Sequence, residues 1–272
     1  MQFTKLSEQL GAEVTGIDLH KALSPEQARE LRAALDTYQV LVFRDQNLDD
    51  RAQVEFSRAF GPLEIFPHAA INREDYPEVM EVADVADTSK YVSTALLWHS
   101  DGSFKSVPAY ITMLRAEIAA PDGDTCFCDI AAGYDALPDV KKKQLDGLEV
   151  IHDLAHSRSL MPNIAPMSEE DKKRVPPVKH PLLRVHSGNG RKTLYLGNHA
   201  REIVGMDMAH GQALLRELTD WTTQERFVIR HQWRNGDLVM WDNRGTMHRA
   251  APYDYTRHRR VLRRTEVSGT AA

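Results

Sequence analysis

From Trp98 onward the chain reads as a succession of short strands, and this limits the fold more than any other feature. AYITMLRAEI, TCFCDI, LRVHS, TLYLG, RFVIRHQW, DLVMWDN and RRVLRRTEV are each short, rich in strand-forming residues and bounded by Gly, Pro, Asn or Asp. Only one late helix, about Asp207 to Thr223, interrupts the run. A parallel sheet needs a crossover, usually helical, between successive strands, so this order points instead to a barrel or jelly roll. The N-terminal third is mixed α and β. In SPEQARELRAALDTY, Ser24 is placed to cap a helix, Pro25 opens it and Gln27 completes a capping box. Ala28, Leu31, Leu35 and Tyr38 recur along it at helical spacing. QVLVF follows as a short buried strand, and a second helix, about Asp49 to Phe60, stops at Gly61-Pro62. Residues 161–181, MPNIAPMSEEDKKRVPPVKHP, read as a long loop, either a lid over a site or a solvated excursion.

At 272 residues the chain holds one large domain or two small ones, with 42% hydrophobic residues to build a core. A formal net charge of −5 gives no reason to expect nucleic acid or an anionic membrane as a partner. The N-terminus lacks the charged-then-apolar order of a signal peptide. No apolar run approaches the roughly 18 residues that span a bilayer, so the expected location is the cytoplasm. The two cysteines, Cys126 and Cys128, fall short of a four-ligand zinc site and read as small buried residues of one strand face.

Chemistry concentrates in LLWHSDGSF. Residues two apart in an extended chain share a face, which sets His99 beside Asp101 and turns Ser100 away. Such a pair either grips a metal or bonds to itself. A third ligand has many candidates among twelve histidines. His152 and His156 stand four apart but have no glutamate between them as HExxH requires, and His68, His180, His186, His199, His210 and His231 stand singly. His248 differs, because an apolar strand, GDLVMW, runs through a polar turn directly into it. With His99 and Asp101 it would make a 2-His-1-carboxylate triad, which holds Fe(II) on one face and leaves positions open for other ligands. Further on, RHRRVLRRTEV places Arg259 and Arg263 on one side of a strand and Arg260 and Arg264 on the other. Such arginines either grip carboxylates through their donor forks or guard an edge strand.

His99-Ser100-Asp101, GDT at Gly123 to Thr125, WDNR at Trp241 to Arg244, His248 and Arg259 together resemble the Fe(II)/2-oxoglutarate-dependent dioxygenases of the taurine and chlorophenoxyacetate dioxygenase type. The resemblance runs over nearly the whole chain, and FCDIAAGYDALP and GDLVMWDNR look closer to the chlorophenoxyacetate branch. It implies a single domain over residues 1–272, mainly β with flanking helices, built as a double-stranded β-helix (jelly roll) of the clavaminate synthase-like kind. It also implies Fe(II) on His99, Asp101 and His248, 2-oxoglutarate as cosubstrate, and O₂. Arg259, eleven residues past His248, would hold the distal carboxylate of 2-oxoglutarate together with Thr125. Arg263 would bind the anionic group of a small organic substrate, with His68, Lys90 and the 161–181 segment as pocket candidates. The implied reaction is hydroxylation, with succinate and CO₂ released; for an aryloxyacetate-type substrate the product hemiacetal collapses and cleaves the ether. The taurine enzyme carries an asparagine before its His-x-Asp where this chain has Thr94-Ala95, which argues against an alkylsulfonate. The rivals are such a taurine-type dioxygenase, a cupin-type metal enzyme without 2-oxoglutarate, or a binding protein that keeps the fold without turnover. A homo-oligomer is left open.

Overall fold

The structure, a computed structural model, describes residues 1–65, 74–83, 95–161 and 165–269. The capping box forms as the sequence expects: the Ser24 hydroxyl accepts from the Gln27 amide at 3.2 Å, and the Gln27 side chain accepts from the Ser24 amide at 2.9 Å. Such a cap is worth about 1 kcal/mol. It starts α1 (Pro25–Tyr38), whose Leu31, Ala34 and Leu35 are buried. Helix α2 (Asp50–Arg58) is capped by Asp49 and ends slightly before the expected stop.

The strands are β1 (Gln2–Lys5), β2 (Ala12–Thr15), β3 (Val40–Phe43), β4 (Met80–Ala83), β5 (Ala109–Ile118), β6 (Thr125–Asp129), β7 (Glu149–His152), β8 (Val178–Pro181), β9 (Leu183–Val185), β10 (Lys192–Leu194), β11 (Ala200–Ile203), β12 (Val228–His231), β13 (Leu238–Asp242), β14 (Thr246–Ala250) and β15 (Val261–Ser268). Seven form one sheet in the order β1-β2-β3-β13-β5-β15-β4, and a second sheet runs β12-β6-β14. Every pairing is antiparallel except β2 with β3.

Alternation along the strands gives the large sheet two different faces. Leu41, Phe43, Ile111, Met113, Leu238, Met240 and Val267 pack with Leu31, Leu35, Ala52 and Phe56 of the two helices. Val40, Val42, Leu114, Ala116, Val239, Trp241 and Leu262 face the opposite way and pack on Phe127 of β6. The second sheet therefore lies over the large one, and its own far side, with Cys128 and Met247, packs under the helix Met208–Thr222. This is the jelly roll, flanked by helices on the outside. Cys126 and Cys128 are buried and free, which suits their place on β6.

Within 161–181 the described residues carry more regular structure than the proline content suggests. Ser168 caps a short helix, Glu169–Arg174, and Val178–Pro181 pairs with β7. Proline is tolerated there because Pro181 sits at the end of β8, an edge strand.

Candidate active site

The stretch before β5 joins the second sheet through a pair of histidines. His99 and His248 form an isolated antiparallel bridge in which each amide donates to the other's carbonyl, at 3.0 and 2.8 Å. The backbone thus sets their rings side by side, with centroids 4.2 Å apart. Three residues past His99, Gly102 turns the chain at φ +64°, and a Cβ there would lie 2.8 Å from the Ala109 amide, so only glycine fits. That turn brings the Asp101 carboxylate back between the rings, 3.7 Å from His99 Nε2 and 3.6 Å from His248 Nε2. The three donor atoms lie within 4.8 Å of one another.

The donor set suits a divalent iron. Burial lowers the pKa of both histidines, that of His248 to about 3, so each imidazole is neutral and has a lone pair to give. His99 Nδ1 lies 2.8 Å from the Leu97 carbonyl; donating its proton there leaves the lone pair on Nε2, toward Asp101. Burial alone would raise the Asp101 carboxyl, but the Arg264 guanidinium outweighs it and keeps the group ionised. Arg264 Nη2 sits 2.6 Å from Asp101 Oδ1.

The WDNR motif supports this set residue by residue. Trp241 packs on the His248 ring at 4.7 Å. Asp242 accepts from His186 Nε2 at 3.0 Å and from Arg244, which also reaches Asp36. Asp36, His186 and Asp242 form a second cluster of ligand-type groups, but the Arg244 guanidinium already pairs both carboxylates. Asn243 accepts from the Asp101 amide at 3.1 Å and donates to Thr112 Oγ1 at 2.9 Å. Thr112 in turn donates to Asp101 Oδ2 at 2.8 Å. One asparagine therefore holds the ligand at its backbone and, through Thr112, at its carboxylate. Thr112→Val should weaken Mn(II) binding by roughly ten- to a hundredfold, the usual cost of losing such a support, while Thr112→Ser should restore it. Equal Mn(II) affinity in Thr112→Val, measured by calorimetry, would contradict this support.

The arginines sit on the opposite faces from those the sequence suggested. Leu262, Arg264 and Glu266 pair with Ala116, Leu114 and Thr112, the row that faces the second sheet. Arg263 takes the other face and ion-pairs with Glu81 and Glu117 of the flanking strands. Arg263 is thus engaged away from the triad, and Arg264 reaches it. Arg259 is exposed, whereas Arg260 is buried and its Nη2 lies 3.5 Å from Thr125 Oγ1. The turn after β14 carries one residue more than a count of eleven from His248 allows. RRVLRR reads the same in either register, so strand alternation alone could not choose between them. Thr125, on β6, also accepts from Trp233 Nε1 at 3.0 Å.

Beside His99 stands a histidine that sequence reasoning left among the single ones. His199 packs edge-on to His99 and to Phe104, and its Nδ1 lies 2.9 Å from Ser103 Oγ. His152 reaches the same hydroxyl at 3.2 Å from the end of β7. Gly197, at φ +114°, lets the loop before β11 pass so close that a Cβ would lie 3.0 Å from His99 Cα. His68 and Lys90 lie outside the described residues.

Residues 2–265 match the family described as "Taurine catabolism dioxygenase TauD, TfdA family". The chain belongs to the TauD/TfdA family. Among its relatives is an alpha-ketoglutarate-dependent 2,4-dichlorophenoxyacetate dioxygenase of a Burkholderia species, 42% identical over 94% of this chain and 90% of the relative. A protein of the same description from Cupriavidus pinatubonensis is 41% identical over 94% of each chain. The crystal structure of AAD-2 in complex with Mn(II) and N-oxalylglycine superposes with a TM-score of 0.87 at 38% identity, covering 99% of this chain and 98% of that one. Within the TauD/TfdA family these matches agree with the chlorophenoxyacetate branch.

Proposed function

We propose that this protein is an Fe(II)- and 2-oxoglutarate-dependent dioxygenase acting on a small aryloxyacetate-type carboxylate. The observation that carries the reading is the convergence between the two sheets of the His99–Asp101–His248 set, Arg264 beside it, and the Arg260–Thr125 pair further along. The bound iron supplies O₂ activation coupled to decarboxylation of 2-oxoglutarate to succinate. The chain's part is placement. Arg260 and Thr125 hold the distal carboxylate of the cosubstrate, so its keto acid end is directed at the triad. Arg264 would receive the carboxylate of the substrate and so direct the adjoining CH₂ toward the His99–Asp101–His248 set. Trp241 and Phe127 close the wall behind His248 and exclude water. One oxygen atom of O₂ enters succinate and the other becomes the new hydroxyl on the carbon next to the ether oxygen. The resulting hemiacetal breaks its C–O bond, with the hydroxyl proton passing to the departing oxygen, to give a phenol and glyoxylate.

Close relatives named for 2,4-dichlorophenoxyacetate support the aryloxyacetate class over an alkylsulfonate. We take residues 1–272 as one catalytic domain and place it in the cytoplasm; no helix among the described residues is long and apolar enough to cross a membrane. The test is succinate formation with Fe(II), 2-oxoglutarate and a panel of aryloxyacetates, alkylsulfonates and plain carboxylates. Aryloxyacetates should stimulate it most and release the phenol in step; stimulation by sulfonates alone would overturn the substrate class.

Arg264→Leu should raise the KM for an aryloxyacetate at least tenfold, because truncating one partner of a buried charge pair costs roughly 2–5 kcal/mol. It should also increase succinate made without phenol. Arg263→Leu should leave both unchanged. Its partners Glu81 and Glu117 are 37% and 42% exposed, so solvent screening limits the loss to stability to about 1 kcal/mol or less. The opposite pattern in KM would put the anion site on the helix side of the sheet.

A further inference from the structure

Trp233 has no place in the reaction as described, yet it touches one of its parts. It follows β12, two residues past His231, which pairs directly with Thr125 in the ladder. Its indole is 7% exposed, packed in the core between the sheets and crossed edge-on by the His231 ring at 4.5 Å. Indole N–H can only donate, and here it donates to Thr125 Oγ1 at 3.0 Å. Arg260 approaches the same oxygen with a second N–H at 3.5 Å. A threonine hydroxyl has two lone pairs and one proton. With both lone pairs facing N–H donors, it can act only as a donor itself. Among the described residues no acceptor is bonded to that proton. Donation into an oxygen also polarises its O–H bond, which strengthens the bond that it then gives.

Resting on the reading above, we infer that Trp233 is a positioning residue for cosubstrate choice: it converts Thr125 into a fixed donor, so that the site selects a 2-oxo acid carrying a second carboxylate. Trp233 does not touch the cosubstrate. It acts through the hydroxyl, and its effect is confined to ligands that reach the hydroxyl.

The experiment measures binding to the Mn(II)-loaded protein, without turnover, of N-oxalylglycine, which has a distal carboxylate, and of pyruvate, which has none. Trp233→Phe keeps the ring and removes the N–H. It should weaken N-oxalylglycine about three- to tenfold, the range expected for one neutral hydrogen bond, and leave pyruvate unchanged within about twofold. Thr125→Val should weaken N-oxalylglycine as well, and adding Trp233→Phe to it should cause no further loss, because the two residues act through one bond. Equal weakening of both ligands, or losses that multiply in the double variant, would show that Trp233 only supports the core and would overturn the inference. A second measurement uses the unmutated protein, so it stands even if Trp233→Phe does not fold. The indole N–H resonance of Trp233 should move on adding N-oxalylglycine and stay in place with pyruvate; a resonance that ignores both ligands overturns the inference. If the unmutated protein binds no N-oxalylglycine with Mn(II), the 2-oxoglutarate reading falls and takes this one with it.

Discussion

His248→Ala should abolish succinate formation and weaken Mn(II) binding by more than about a hundredfold. Losing a supporting residue around a metal ligand already costs ten- to a hundredfold, and here a ligand itself is removed. The effect has a second readout that needs no turnover. A metal that binds only the folded state stabilises it by about 2.7 kcal/mol at a hundred times its Kd. Mn(II) should therefore raise the melting temperature of the unmutated protein and leave that of His248→Ala unchanged. His248 is buried and its Nδ1 has no partner among the described residues, so alanine removes no other side-chain hydrogen bond there. A variant that still gains stability from Mn(II) would mean that the metal sits elsewhere.

Arg260→Ala should raise the KM for 2-oxoglutarate at least tenfold, and Arg259→Ala should leave it within about twofold. The two residues are adjacent, but the chain exposes one and buries the other beside Thr125. Removing a buried guanidinium from a carboxylate forfeits roughly 2–5 kcal/mol, part of it the cost of leaving the anion unpaired. Removing the exposed one changes only surface charge, which is usually worth less than about 0.5 kcal/mol. The pair is a controlled comparison, because both variants lose the same charge within one turn of chain. Equal effects would mean that the distal carboxylate is not held by contact at all but by the general positive field of the segment.

What could be read from the sequence follows from where the physics is local. Helix α1 was legible because its cap, its proline and its apolar spacing all lie within one short stretch and agree. The proposed metal set was legible because His99 and Asp101 stand two apart in one short stretch, and His248 follows an apolar strand through a polar turn. The arginines were not. RRVLRR places a guanidinium pair on either face, and what decides is the ladder that sets Arg264 against Leu114 and Glu266 against Thr112, with a bulge between Val261 and Leu262. That is information about partner strands, not about β15. Thr112 and Trp233 were silent for the same reason, and Asn243 showed only as a letter of the WDNR motif, without its partners. Each is a single polar or aromatic residue in an apolar or irregular stretch, and its partner lies 11, 142 or 108 residues away. The 161–181 segment misled because proline and charge argue against a strand, whereas pairing with β7 supplies what the local sequence lacks.

The bridge between His99 and His248 ties two processes to a single event. The same pair of residues that exchange backbone amides also carry two of the three atoms proposed to ligate the iron, so opening the bridge would separate those ligands. In the metal-loaded protein the ion acts as a rivet through the seam: the seam cannot gape while the ion stays. The amide protons of His99 and His248 are therefore a clock for metal residence. In heavy water they should exchange no faster than the ion departs, and a chelator that speeds departure should speed both amides together, leaving those in the middle of β13 untouched.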